Sequence, residues 1–233
     1  MAATQETSMS SSSSSSSPHK IHDLFRKIEA DWSKSGLGPN RWYLLTLATL
    51  VGGNDPELSA ELYLYLTAQP AFATPPQRQA LPLEAILAIN AHEKPEDKDP
   101  SPRATREGWQ CDEANLERGR AWMRKLYTGD TNSTIALFDD HKDFAWLSQN
   151  ITYGLYLSDR QVLDDLGTEV IVLSAIMIQN LPKETRWHIR GIRRLGVSVE
   201  DVKVVWNAVQ AIAQFLDIKL NRVPTVEEVE KEV

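Results

Sequence analysis

The chain has 233 residues, a formal net charge of −7 and a sequence pI near 5.3. This acidic balance argues against nucleic acid as the main partner, because phosphate binding needs a positive field over the contact face. Cys111 is the only cysteine, which excludes an intramolecular disulfide, a four-cysteine zinc site and dithiol redox chemistry. With no apolar stretch near the roughly 18 residues of a membrane helix, the sequence predicts a cytoplasmic protein without a membrane partner.

The first 18 residues are serine-rich and predict a disordered tail, since they cannot bury enough apolar surface to offset the entropy of ordering. Residues 19–92 form the first predicted half of the chain, in which apolar residues recur with helical spacing. Helices are predicted over residues 21–28, 41–50, 56–66 and 83–89. Asn54 or Asp55 is the predicted N-terminal cap of the third helix, with Pro56 in its first turn.

Residues 93–111 are charged and contain three prolines, which predicts a linker. The second half of the chain, residues 112–233, contains capping patterns: Gly196 as a helix C-terminal cap, and Ser198 with Asp201 as a capping box. Helices are predicted over residues 112–127, 134–138, 142–153, 166–178, 182–195 and 199–215. Because strand alternation is absent from the sequence, the predicted fold class is all-α.

An internal repeat emerges when Pro56 is placed on Pro182. Residues 45–50 then align with residues 171–176, and both copies read as an apolar helix, a short loop and a helix begun by proline. This pattern predicts two diverged copies of one helical unit, with generic helix–turn–helix patterning as the alternative.

The helix predicted over residues 182–195 carries the side chains best suited to chemistry. Glu184 and His188 are four positions apart on one face, so the glutamate can bond one ring nitrogen and hold the other toward a substrate. That arrangement suits a general acid or base. Arg186 and Arg190 belong to a neighbouring arginine stripe that can hold a carboxylate. A core histidine and a solvated or oligomer-facing arginine stripe are the alternatives, and no metal site is predicted.

Several segments of the second half recur together in one known family. They are Phe144-Ala145-Trp146, Thr152-Tyr153-Gly154, Thr168-Glu169, Arg186-Trp187-His188-Ile189-Arg190-Gly191 and Gly196-Val197-Ser198 with Glu200-Asp201-Val202. In order and spacing, residues from about 143 to 223 resemble the carboxymuconolactone decarboxylase family, whose helical fold is shared with the AhpD-like alkylhydroperoxidases. The resemblance implies a bundle of antiparallel helices that assembles into higher oligomers.

The resemblance also separates two activities. The peroxidase branch has two cysteines at positions that hold Leu181 and Glu184 here, so a thiol peroxidase is disfavoured. The decarboxylase branch lacks these cysteines and keeps the histidine, which is His188 in this chain. Members commonly carry an acid where this chain has Asn150, and in the first half Leu62 occupies the position equivalent to His188.

Together these observations predict a cofactor-free lyase or isomerase that acts on a small carboxylate-bearing lactone or keto acid. The predicted catalytic residues are His188 and Glu184, and the predicted substrate-binding residues are Arg190, Arg186 and Tyr153. The alternative is a catalytically silent, AhpD-like oligomerisation or interaction protein, which the altered positions favour. A homo-oligomer is predicted, with neither nucleic acid nor membrane as a partner.

Overall fold

In the computed structural model of the chain, the described residues are 18–39, 41–72, 83–98, 100, 105, 107–128 and 131–233. Within these ranges the regular structure is helical and no β-strand occurs, which confirms the predicted all-α fold class. The tail predicted for residues 1–18 lies outside the described residues, except for Pro18 at the start of the first helix. Among the described helices, none combines the length and the apolar character needed to cross a membrane.

The described part of the chain contains eleven α-helices and one π-helix. They are α1 (Pro18–Trp32), α2 (Trp42–Gly52), α3 (Leu58–Thr67), α4 (Leu83–Asn90), α5 (Glu113–Tyr127), α6 (Thr131–Ala136), α7 (Lys142–Trp146), the π-helix (Leu147–Leu157), α8 (Asp165–Ile178), α9 (Pro182–Arg194), α10 (Val199–Phe215) and α11 (Val226–Glu230).

The main core forms around α2, which packs against α8. All residues of α2 from Trp42 to Leu50 are buried, as expected of a helix that is apolar on every side. Val170 and Met177 of α8 lie in the same cluster and are fully buried. Helices α1, α3, α9, α10 and α11 also contribute buried apolar residues to this core. Both predicted halves of the chain therefore share one core.

Two helices, α5 and α10, start at or next to the predicted residue, directly after a residue whose side chain can cap a helix. Asp112 accepts a hydrogen bond from the backbone N–H of Asn115 at 2.9 Å, and α5 begins directly after it. Ser198 accepts from the N–H of Asp201 at 3.1 Å at the start of α10. The predicted capping box is nevertheless incomplete, because the Asp201 carboxylate accepts a hydrogen bond from the N–H of Gly36 instead, at 3.0 Å.

The predicted start of α3 is wrong by two residues. Asn54 adopts a left-handed φ of 64°, and Asp55 donates its N–H to the carbonyl of Leu50, so the backbone of both residues closes α2. The Asp55 carboxyl also interacts with the backbone N–H of Leu58, as expected of a residue at the start of α3. Pro56 precedes the helix in a turn, where its carbonyl accepts from Ser59 at 3.0 Å. The helix then begins at Leu58.

The helix predicted over residues 142–153 consists of α7 followed by the π-helix, which packs closely against α5. A Cβ on Gly119 of α5 would lie 2.5 Å from the carbonyl oxygen of Gln149 and 2.8 Å from the nitrogen of Gly154. Asn115 is fully buried beside this contact and donates its Nδ2–H to the carbonyl of Asn150 at 2.9 Å. The two helices can approach this closely because both contact positions are glycine.

A second, smaller apolar cluster lies between α5 and its neighbours. Its buried residues are Trp122, Met123, Leu126 and Tyr127, with Tyr153 of the π-helix and Trp187 of α9 packed against them. On α9, Ile189 and Ile192 belong instead to the main core. Helix α9 therefore lies between the two clusters, and this position places His188 at their boundary.

Candidate active site

His188 connects three helices through its two ring nitrogens. Its Nδ1 lies 2.7 Å from Oε1 of Glu169 on α8, and its Nε2 lies 3.4 Å from the hydroxyl oxygen of Tyr127 on α5. His188 is 4% exposed and Glu169 is fully buried. The imidazole is thus held between a carboxylate and a phenol in a position where little water competes for either contact.

A glycine on α9 makes room for the buried carboxylate. Gly191 follows His188 by three residues and so lies on the same side of the helix. A Cβ at Gly191 would lie 3.0 Å from Oε1 of Glu169 and 3.2 Å from Cδ2 of Leu126. Without that atom, the carboxylate of Glu169 can lie directly against the backbone of α9 and reach the imidazole.

Two tyrosines extend the contacts of His188 toward the π-helix. The hydroxyl oxygens of Tyr127 and Tyr153 are 2.5 Å apart, and the Tyr127 ring also makes an edge contact with Trp187, with ring centres 6.1 Å apart. Glu169, His188, Tyr127 and Tyr153 therefore follow one another in a continuous series, here called the Glu–His–Tyr–Tyr network. Each member is supplied by a different helix.

Burial determines the protonation of both tyrosines. It raises the pKa of Tyr127 well above the usual 10, and the nearby Tyr153 and Glu169 raise it further. Burial also raises the pKa of Tyr153 to about 12, although the hydrogen bond with Tyr127 acts in the opposite direction. Both side chains are therefore neutral hydroxyls near pH 7, able to donate and to accept a proton.

The carboxylate of Glu169 is unusual in its second oxygen. Oε2 is buried and makes no hydrogen bond to any of the described residues. Leaving a buried polar atom unsatisfied costs on the order of 1–3 kcal/mol, so Oε2 would be stabilised by a further hydrogen-bond donor. Within the described ranges, no three His, Cys, Asp or Glu side chains come together in an arrangement that could hold a metal ion.

The structure corrects the predicted partner of His188. Glu184 lies one turn before the histidine on α9 and is partly exposed, but the carboxylate that meets Nδ1 belongs to Glu169. Spacing along one helix identified Glu184, whereas the actual partner comes from the neighbouring helix. Tyr153, predicted to bind substrate, does lie in the same network as His188.

The two predicted carboxylate anchors lie elsewhere. Arg186 forms an ion pair with Glu232, and Nη1 of Arg190 lies 3.9 Å from Oε2 of the same glutamate. Each arginine is two residues from His188, a rotation of roughly 200° around the helix, which points it to the opposite side of α9. The structure therefore does not bring Arg186 or Arg190 together with His188.

Two positions highlighted by the family resemblance have structural roles. Asn150 is buried in the π-helix, where its side chain donates to the carbonyl of Trp146 at 3.2 Å and its own carbonyl accepts from Asn115. Leu62, equivalent to His188 in the first half, is 2% exposed and belongs to the main core. Neither position contributes to the Glu–His–Tyr–Tyr network.

Sequence reasoning missed Glu169 and Tyr127. Glu169 had two signals: it belongs to a segment that carries the family resemblance, and it is a charged residue within a strongly apolar helix. Such a residue is rarely buried without a partner. Tyr127 had no comparable signal, because it stands at the end of an amphipathic helix where an aromatic residue is ordinary.

Comparison of the chain with family models, with curated proteins and with solved structures found no match. The resemblance to the carboxymuconolactone decarboxylase family therefore rests on the residues of this chain alone.

Proposed function

We propose that this protein is a carboxymuconolactone decarboxylase-like enzyme that uses His188 for cofactor-free proton transfer. As a lyase or isomerase it would act on a small carboxylate-bearing lactone or keto acid. In this proposal His188 is the general acid or base, and Glu169 replaces Glu184 as the residue that orients it. A carboxylate on Nδ1 fixes the tautomer of the ring and stabilises the imidazolium that forms when Nε2 takes a proton.

The observation that carries the proposal is the 2.7 Å contact between Nδ1 of His188 and Oε1 of Glu169 in a buried site. A histidine that served only to fill the core would not need a buried carboxylate, which is costly to remove from water. The carboxylate is useful when the ring has to become positively charged during a reaction, because the charge then forms next to its partner.

The proposal is tested with a panel of small lactones and keto acids, followed by loss of substrate and release of carbon dioxide. His188→Gln keeps a donor for Glu169 but removes the base, so we expect it to fold and to lose at least about a hundredfold in turnover. His141→Gln, at an exposed histidine, is the matched control and should keep full activity. Equal turnover in both variants would exclude His188 as the catalytic group.

A second candidate function is an AhpD-like oligomerisation or interaction protein without catalysis. Five large apolar side chains between residues 137 and 156 are strongly exposed: Leu137, Phe144, Trp146, Leu147 and Tyr156. Exposed apolar side chains concentrated in one segment are typical of a surface that binds another protein. The pairing of Arg186 and Arg190 with Glu232 also favours this candidate, since it occupies the predicted substrate anchors.

The two candidates differ in what a surface change does. Replacing Phe144 and Trp146 with serine should lower the mass found by sedimentation if these side chains join copies of the chain. Leu87→Ser, at another exposed leucine, is the control and should leave the mass unchanged. If the serine variant keeps both its mass and its turnover, the proposal of an interaction protein is wrong and the proposal of an enzyme is kept.

We also infer that the chain contains two diverged copies of an AhpD-like unit, with the first half structural. The contact between α2 and α8, which belong to the two aligned segments, supports this view. A homo-oligomer in the cytoplasm, with neither nucleic acid nor a cofactor bound, remains part of the proposal. Sedimentation of the native protein, together with its absorbance spectrum, would test the oligomer and the absence of these ligands.

A further inference from the structure

We propose that the hydroxyl of Tyr153 is the outer end of a proton path and that Tyr127 passes the proton between Tyr153 and Nε2 of His188. In this proposal Tyr153, and not His188, meets the reactant. The inference deepens the proposed function and rests on it for the identity of the reaction. The path itself is a property of the Glu–His–Tyr–Tyr network and can be tested without a substrate.

The proposed direction of the path follows from the tautomer in which Nδ1 of His188 carries the hydrogen. In that tautomer Nδ1 donates to the carboxylate of Glu169, and Nε2 is left as an acceptor. Tyr127 is the group within reach of Nε2, at 3.4 Å, and it has one hydrogen to donate. The 2.5 Å contact between the hydroxyls of Tyr127 and Tyr153 must then be donated by Tyr153. All the hydrogens of the network therefore point from Tyr153 toward Glu169.

Burial places the outer end at Tyr153. Glu169, His188 and Tyr127 are each less than 5% exposed, whereas Tyr153 is only partly buried. Tyr153 is therefore the member through which a proton from water or from a reactant can enter. Because burial raises the pKa of both tyrosines, the hydroxyls stay neutral and pass a proton without becoming stable phenolates.

The packing of the π-helix holds Tyr153 at this point. Tyr153 directly precedes Gly154, whose nitrogen lies at the close contact with Gly119 of α5. Asn115 fixes the same segment by its hydrogen bond to the carbonyl of Asn150. Stretches of π-helix are frequent at functional sites. Here the π-helix and α5 together bring the two hydroxyls to 2.5 Å.

The transfer balances without any other reagent. The acidic bond of the reactant breaks and its hydrogen forms a bond to the oxygen of Tyr153, while the electron pair stays on the reactant. The original hydrogen of Tyr153 moves to the oxygen of Tyr127, and that of Tyr127 moves to Nε2 of His188. One negative charge on the reactant and one imidazolium beside the Glu169 carboxylate result. The reverse sequence returns the proton to a product.

The test follows exchange of the Tyr127 hydroxyl with water in the whole chain, using tyrosine labelled with ¹³C at Cζ. In an equal mixture of H₂O and D₂O, a slowly exchanging hydroxyl gives two Cζ lines, and their exchange rate can be measured. We expect Tyr153→Phe to slow exchange at Tyr127 by about tenfold or more. This is the change in rate that corresponds to the energy of the one hydrogen bond that the variant removes from the exchange route. Tyr65→Phe removes a hydroxyl that is bonded to Glu29 and should change nothing.

The sign of the effect separates a proton path from a structural contact. A merely structural Tyr153 would, when replaced, loosen the packing and speed exchange at Tyr127. Unchanged or faster exchange in Tyr153→Phe would overturn the proposal, whereas a single averaged Cζ line for Tyr127 in the native protein that splits into two lines in Tyr153→Phe would support it. Incorporation of 3-fluorotyrosine at position 153 keeps the ring and makes its hydroxyl more acidic, so it should speed exchange. Because water is the only probe, this result does not depend on whether the lactone and keto acid panel is turned over.

Discussion

Replacing Gly119 with alanine tests the packing that brings the two tyrosines together. The new Cβ would lie 2.5 Å from the carbonyl oxygen of Gln149 and 3.0 Å from Cα of Gly154, both backbone atoms that cannot rotate away. Overpacking of this kind costs about 1–3 kcal/mol, whereas the higher helix propensity of alanine returns roughly 1 kcal/mol. Since the contact is with backbone, we expect the upper end of this range and a net loss of about 2 kcal/mol.

Thermal unfolding followed by circular dichroism measures this loss. For a chain of this length, about 2 kcal/mol corresponds to a fall in Tm of about 4–8 °C. Ala121→Gly is the matched control, because Ala121 is exposed on the same helix and its replacement should cost only about 0.5–1 kcal/mol of propensity. If Gly119→Ala raises Tm, as alanine does in an unobstructed helix, then α5 and the π-helix are not in close contact and the position of Tyr153 needs another explanation.

Three further predictions concern charged and titratable groups. His188→Ala leaves the buried carboxylate of Glu169 without its partner and should destabilise the fold by about 3–5 kcal/mol in urea unfolding, whereas His188→Gln, which keeps a donor, should cost clearly less. Burial raises the pKa of Tyr153 to about 12, so the contribution of this side chain to stability is fully present below pH 10 and is lost between pH 10 and 12. Tyr153→Phe should therefore flatten the fall in Tm over that pH range. Burial acts to raise the pKa of Asp165, but the hydrogen bond from Lys125 contributes to a net lowering of this pKa from 3.8. The stability that results is present above pH 3.8 and is lost as the pH falls below 3.8. Asp165→Asn should therefore lose less stability than the native chain between pH 5 and 3.

Helical periodicity and capping residues were enough to predict the fold class and most helices. The apolar face that begins at Ile21 is buried as expected, and Ser198 caps the helix that it was predicted to cap. The helix predicted from residue 112 begins at Glu113, with Asp112 as its cap. The π-helix could not be predicted, because its sequence has no signal that differs from an α-helix. Its geometry depends instead on the contact with Gly119 and Asn115, which are far away in the sequence.

The site was predicted in part, for a similar reason. His188 and Tyr153 were identified by their segments, and both belong to the network that the structure shows. The carboxylate partner was assigned to Glu184 because i, i+4 spacing relates residues of one helix only. The partner of a buried histidine is set by how helices pack, and Glu169 reaches it from α8 across the space left by Gly191. Sequence spacing contains no information about that approach.

Reaction class and substrate class have unequal support in this molecule. The proposed proton transfer is supported by the Glu–His–Tyr–Tyr network, whose contacts join a carboxylate, an imidazole and two hydroxyls. The substrate carboxylate was inferred from Arg186 and Arg190, which lie on the other side of α9 and face Glu232. The proposed proton path does not use these two arginines, so it does not require a carboxylate on the substrate. The path therefore limits how acidic the substrate must be more closely than it limits the charge of the substrate. The compound panel should therefore pair each carboxylate-bearing lactone and keto acid with its neutral ester, since turnover of the ester alone would keep the mechanism and change the substrate.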